Sequence, residues 1–92
     1  MIVESSVFHK SESITYRELD GEGVLYDSVN RRMHVLNSTA VDIWILLDQV
    51  HQPKQIAEIM AERFNVPNDT VIADVMACLQ TFQQLGLVKG DA

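Results

Sequence analysis

One cysteine, two prolines, four glycines and seven basic residues are all that this chain of 92 residues carries of those types, and each scarcity closes off a class of protein. A lone Cys78 excludes an internal disulfide and fits a reducing compartment. The glycines stand at positions 21, 23, 86 and 90, and none builds a phosphate-cradling loop or a dinucleotide fingerprint. Seven Lys and Arg against thirteen Asp and Glu give a net charge of −6 and a pI near 4.8. That balance argues against nucleic acid, whose phosphates demand a basic surface, and disfavours anionic membranes. It suits a basic peptide or protein partner. No run approaches the ~20 apolar residues that span a bilayer. Met1 to Ser5 has neither a basic nor a sustained apolar region, so no secretory signal is expected and the protein is expected in the cytoplasm.

Metal and nucleophile chemistry are equally sparse. His9, His34, His51 and Cys78 match no ligand spacing, so no metal and no cofactor are expected. Cys78 would need His34 nearby in space to act as a nucleophile; a cysteine in an apolar helical stripe more often packs inertly. The carboxylates are dispersed, with no obvious acid–base pair. A chain this short with no chemical constellation is not expected to be an enzyme.

What is present is a globular composition, 47% apolar and 22% charged, on a chain long enough for one core. One domain over residues 1–92 is expected. Residues 1–13 read either as a loose arm, able to exchange between protomers, or as an extra strand. Strands are predicted at Ile14–Leu19, Val24–Asp27 and Arg32–Leu36, with turns at Asp20–Gly23 and Ser28–Arg31. Met33 and Val35 fall on one face of the last strand and Arg32, His34 and Leu36 on the other. Asn37 or Ser38 then caps a helix carrying Ala40, Ile43, Trp44 and Leu47 at helical spacing, with Trp44 in the core. Pro53 opens a second helix whose buried face is Ile56, Ile59, Met60 and Phe64. A third is predicted over about Asp69 to Leu85, stopped by Gly86, followed by a short strand or extended tail at Leu87-Val88.

These elements give an α+β fold: a three-stranded antiparallel N-terminal sheet packed on a three-helix winged helix-turn-helix bundle. Such a bundle usually offers its recognition helix to DNA, but the third helix has no lysine or arginine and carries Asp69 and Asp74. On a helical wheel its apolar arc covers about half the circumference, against a usual stripe of about 100°. The excess edge is Val71, Cys78, Phe82 and Leu85, which either packs within the molecule or forms an open groove. The third strand, at the end of a simple meander, offers an unpaired edge to an extended peptide, unless Arg31, Arg32 and His34 serve to discourage pairing.

From Val24 to Val88 the chain resembles PqqD-like proteins, the recognition elements that bind leader segments of ribosomally made, post-translationally modified peptides. The resemblance rests on Val24-Leu25-Tyr26-Asp27, Leu36-Asn37, Ala40, Ile43-Trp44 and Leu46-Leu47. It continues through Ile56, Ile59, Phe64, Asp74-Val75, Leu79 and Leu85 to Gly86-Leu87-Val88. It implies a non-catalytic adaptor that takes a leader as an added strand on Arg32, Met33, His34, Val35 and Leu36, beside a wall made by Val71, Asp74, Val75, Cys78 and Phe82. The implied partners are a precursor peptide and a processing enzyme, either a leader peptidase or a radical SAM enzyme, with no nucleic acid or membrane. Tyr26-Asp27-Ser28-Val29 and Asp48-Gln49 stand where quinone-pathway members carry a Tyr-Pro-Glu-Gly-like turn and an Asp-Gly, so the lasso-peptide type is preferred. A charged residue at Phe82 or Cys78 is expected to weaken binding without loss of helix. The alternatives are a winged-helix DNA-binding regulator and a self-pairing oligomerisation module; a monomer or an arm-exchanged dimer fits the sequence.

Overall fold

Asn37 is the pivot between sheet and helices in the computed structural model, which describes residue 3 and residues 5–91. Its side chain accepts a hydrogen bond from the Ala40 N–H at 2.8 Å, filling the cap on which helix α1 (Ser38–Leu46) starts. Immediately before it runs a meander of three antiparallel strands, β2 (Ile14–Leu19), β3 (Glu22–Asp27) and β4 (Arg32–Leu36), in that spatial order. β3 begins two residues earlier than the sequence suggests. The turn is only Asp20-Gly21, both at positive φ, and Gly23 pairs with Leu36 instead of turning. Gly23 is needed there for space, because a β-carbon would collide with the Val41 side chain of α1.

The N-terminal segment, open in the sequence between a loose arm and an extra strand, supplies a strand. Met1, Ile2 and Glu4 of the anticipated arm lie outside the described residues, but Val7–Lys10 form strand β1. It pairs antiparallel with β5 (Val88–Asp91), Phe8 standing opposite Gly90, and makes a second, two-stranded sheet beside the expected one. Phe8 is fully buried, and its ring occupies the space that a side chain at Gly90 would need. Three more contacts fasten β1: the Phe8 N–H donates to the His51 carbonyl at 2.8 Å, Lys10 pairs with Asp48 at 2.7 Å, and the Lys10 ammonium lies 4.6 Å above the Trp44 ring.

Helices α2 (Pro53–Phe64) and α3 (Asn68–Gln84) complete the chain, α3 starting one residue earlier than predicted, after Pro67. Asn65 at positive φ ends α2, and Gly86 at positive φ ends α3. At the second site the Gly86 N–H reaches Gln83 and the Leu87 N–H reaches Phe82, the paired bonds of a Schellman cap. The cap turns the chain directly into β5. The core brings Phe8 and Leu25 together with Ile43 and Trp44 of α1, Ile56 of α2, and Val75 and Leu79 of α3. Trp44 meets Phe82 edge to face, with ring centroids 5.7 Å apart. Phe64, anticipated in the buried face of α2, is half exposed at the helix end.

The turn into β4 is closed by Asp27, which is buried. Its carboxylate accepts from the Asn30 side chain at 2.8 Å and from the backbone N–H groups of Asn30 and Val29. The Asn30 side-chain bond, helped by those two N–H groups and by the nearby His34, holds the carboxyl below its ordinary value. A carboxyl whose folded pKa is depressed stabilises the fold above the unfolded value, near pH 4, and that contribution is lost as pH falls through the folded one. Thermal melts between pH 7 and pH 2.5 should therefore show a shallower acid-side fall in Tm for Asp27→Asn than for the parent. Phe8→Ala should cost about 3–5 kcal/mol in urea denaturation, the usual effect of emptying a fully buried aromatic site; a loose arm would give no change.

Candidate functional site: an open strand edge beside an apolar groove

Among the described residues β4 has a neighbour on one side only, and the direction of its free backbone groups follows from the register. The Ser28 N–H donates to the Ser13 carbonyl, so residues 13 and 28 form a hydrogen-bonded pair. Bonded and non-bonded pairs alternate in an antiparallel ladder. Along β2 and β3 the bonded pairs are then 15 with 26, 17 with 24 and 19 with 22. The two-residue turn closing on Leu19 and Glu22 agrees with that assignment. Gly23, Leu25 and Asp27 consequently spend their backbone groups on Leu36, His34 and Arg32. The N–H and C=O groups of Met33 and Val35 face away from the sheet.

Next to that edge lies a groove of about 650 Å³ between β4 and α3. Met33, His34, Val35 and Leu36 form one side; Asp74, Cys78 and Phe82 rise on the other. The capped start of α1 closes the inner end with Asn37, Thr39 and Ala40. Seven of the ten residues singled out from the sequence thus line one cleft. Arg32 is exposed at the start of the edge but does not line the groove. Val71 and Val75 do not reach it either: both are buried in the core among residues of the other elements. The wide apolar arc of α3 is therefore divided, Val71, Val75 and Leu79 facing inward and Cys78 and Leu85 facing the groove.

Phe82 straddles the division. It lines the groove, yet it is only 3% exposed and its ring is locked against Trp44. A charge at Phe82 would break the core, so the idea that such a change spares the helix is corrected for this position and kept for Cys78. Sequence reasoning left Ala77, Thr81 and Leu85 out of the site, although Asp74, Cys78, Thr81 and Leu85 follow helical spacing and Leu85 sits on the excess edge of the wheel. The Thr81 hydroxyl donates back to the Ala77 carbonyl at 3.1 Å, which satisfies it within the helix.

The lining of the groove is mostly apolar. Asp74 is its one carboxylate and His34 its one ring nitrogen donor. Burial pushes the Cys78 thiol up to about 11, so it is protonated at neutral pH and a poor nucleophile. Among the described residues, no group of His, Cys, Asp and Glu is placed to hold a metal ion, and no helix is long and apolar enough to cross a membrane. A second cleft, about 580 Å³, meets the groove at Val35, Leu36 and Asn37 and carries Glu18, Glu22 and Asp42.

Three solved structures share this architecture. TbiB1 in complex with the TbiA(beta) leader peptide is 24% identical, with a TM-score of 0.80, over 90% of this chain and 96% of that one. A lasso peptide synthetase B1 complexed with the leader peptide is 23% identical, with a TM-score of 0.79, over 89% and 96%. The PqqD truncation of Methylobacterium extorquens PqqCD, a stand-alone recognition element for ribosomally synthesized and post-translationally modified peptides, is 21% identical with a TM-score of 0.82, over 97% and 95%. At these identities the likeness establishes the α+β fold. No curated protein matches the chain. The sequence pattern of coenzyme PQQ synthesis protein D matches residues 22–88, from the first residue of β3 to the first of β5. Matched over most of its length, the chain belongs to the PqqD family.

Proposed function

We propose that this protein is a non-catalytic adaptor that binds the leader segment of a ribosomally made precursor peptide and presents it to a processing enzyme. The observation that carries the proposal is the pairing of an outward-facing backbone edge at Met33 and Val35 with an apolar groove alongside it. An extended peptide gains main-chain hydrogen bonds from the edge and side-chain pockets from the groove, which is the general economy of strand addition. Relatives in fold are known bound to leader peptides. The contact set is Met33, His34, Val35 and Leu36 from β4 with Asp74, Cys78 and Phe82 from α3; Arg32 flanks it, while Val71 and Val75 hold the wall from behind.

The adaptor would work through effective concentration: once the leader is held, meeting the processing enzyme becomes an intramolecular event for the rest of the precursor. A lasso-type leader peptidase is the preferred recipient, a radical SAM enzyme the next. The winged-helix reading of the bundle leaves DNA as the competing ligand. An α3 without a single lysine or arginine, in a chain of net charge −6, disfavours it.

The test uses the leader of the precursor encoded in the same gene neighbourhood, labelled with a fluorophore. Val35→Pro removes an N–H that points out of the sheet, on an edge where proline is tolerated. It should weaken leader binding by at least about tenfold, or 1.4 kcal/mol, in fluorescence anisotropy while the far-UV spectrum is retained. Cys78→Asp should weaken it similarly by placing a charge on the groove wall. Unchanged affinity in both variants rules out this groove, and tight salt-sensitive binding to a DNA duplex reverses the choice. Acceleration of leader cleavage by the neighbouring peptidase supports the lasso type; acceleration of a radical enzyme alone supports the quinone type.

A further inference from the structure

The helices cover one face of the three-stranded sheet, where Ile14, Tyr16, Leu25 and Leu36 join the core. Among the described residues nothing covers the opposite face in this way. Leu19, Tyr26, Met33 and Val35 project from it, Met33 and Val35 being 60% and 65% exposed. With Val29 at the adjoining turn, this sheet holds five of the ten exposed large apolar side chains among the described residues. A shallow cleft of about 270 Å³ runs across its centre, lined by Thr15, Arg17, Leu19, Val24, Tyr26 and Met33. Contiguous apolar surface of this kind marks an interaction site more often than it marks bare surface.

Charge narrows the occupant. Of the seven basic side chains, Arg17 projects from this face and Arg31 stands at its turn, while Arg32 points to the groove side with His34 and Leu36. Neither Arg17 nor Arg31 forms an ion pair among the described residues. Tyrosine, methionine and arginine together are the composition of protein interfaces, and an unpaired guanidinium is a fork ready for a carboxylate. Nucleic acid is a poor fit for a chain of net charge −6.

We propose that the outer face of the β2–β3–β4 sheet docks the processing enzyme, through an apolar patch on that enzyme fringed with carboxylates. This rests on the adaptor reading and extends it. Met33 and Val35 serve both sites, their backbone groups facing the leader edge and their side chains the outer face. A leader strand added at β4 lengthens the outer face by one strand, because alternate residues of a strand point to the same side. The enzyme therefore meets a surface made partly by the adaptor and partly by its cargo, and leader binding strengthens enzyme docking.

The experiment uses the full chain, the labelled leader and the purified processing enzyme encoded beside it, with Arg17→Glu and Tyr26→Glu as variants. Both positions lie off β4 and outside the groove. Leader affinity should stay within about twofold of the parent, and enzyme affinity by titration calorimetry should fall about tenfold or more in each variant, with parent-like melting. Added leader should raise enzyme affinity for the parent. Enzyme affinity unchanged by both variants overturns the proposal. So does a doubling of mass in light scattering that Tyr26→Glu abolishes, or duplex binding that Arg17→Glu abolishes. Enzyme docking lost in the variants of a chain that never binds leader would strike the adaptor reading and leave this surface standing. If Tyr26→Glu fails to fold, Arg17→Glu decides alone.

Discussion

The indole of Trp44 is where separately built parts of this chain meet. It belongs to α1, receives the edge of Phe82 from α3, and lies under the Lys10 ammonium of β1, itself held by Asp48 in the turn that follows α1. Phe82 is the base of the groove wall, so this contact sets how far α3 stands from β4. The helix bearing Trp44 is in turn fixed against the sheet by Gly23, whose missing side chain lets Val41 close in. The width of the groove thus follows from two aromatic rings and one absent methyl group. Asn37 adds the sharp corner that joins β4 to α1 without an intervening loop.

Much of this was legible in the sequence because it is local. β2 and β4, the cap before α1, Pro53 at the start of α2 and Gly86 after α3 are each declared within a few residues by alternation, capping chemistry or backbone preference. β1 was not, since Val7–Lys10 is ordered by partners near the opposite end of the chain, and no local pattern announces that Phe8 will stand against Gly90. The start of β3 was missed because Asp20-Gly21-Glu22-Gly23 reads as one turn; Gly23 is a glycine for packing, a need invisible without α1 in place. The groove was half legible. A helical wheel shows that the arc of α3 is too wide, but it cannot say which edge turns inward, and Val71 and Val75 went to the core.

An edge strand is ordinarily a hazard, because unpaired backbone groups invite a second copy as readily as a proper partner. Here the exposure is kept short. β4 has five residues, its first and last are engaged with Asp27 and Gly23, and the chain bends into a helix at once. Arg31 and Arg32 stand at its open end. The edge is accessible enough to pair and too brief to template a long sheet.

That brevity has a kinetic side. Along β4 only Met33 and Val35 offer outward backbone groups, so on the adaptor reading a docked strand would be held by a few main-chain hydrogen bonds and by whatever its side chains find in the groove. Bonds of this kind are each worth about 0.5–1.5 kcal/mol net, and differences in affinity between related complexes are mostly differences in escape rate. On the adaptor reading, a short edge favours quick release of a spent leader after processing. A longer strand would bind more firmly and become clogged with its own product.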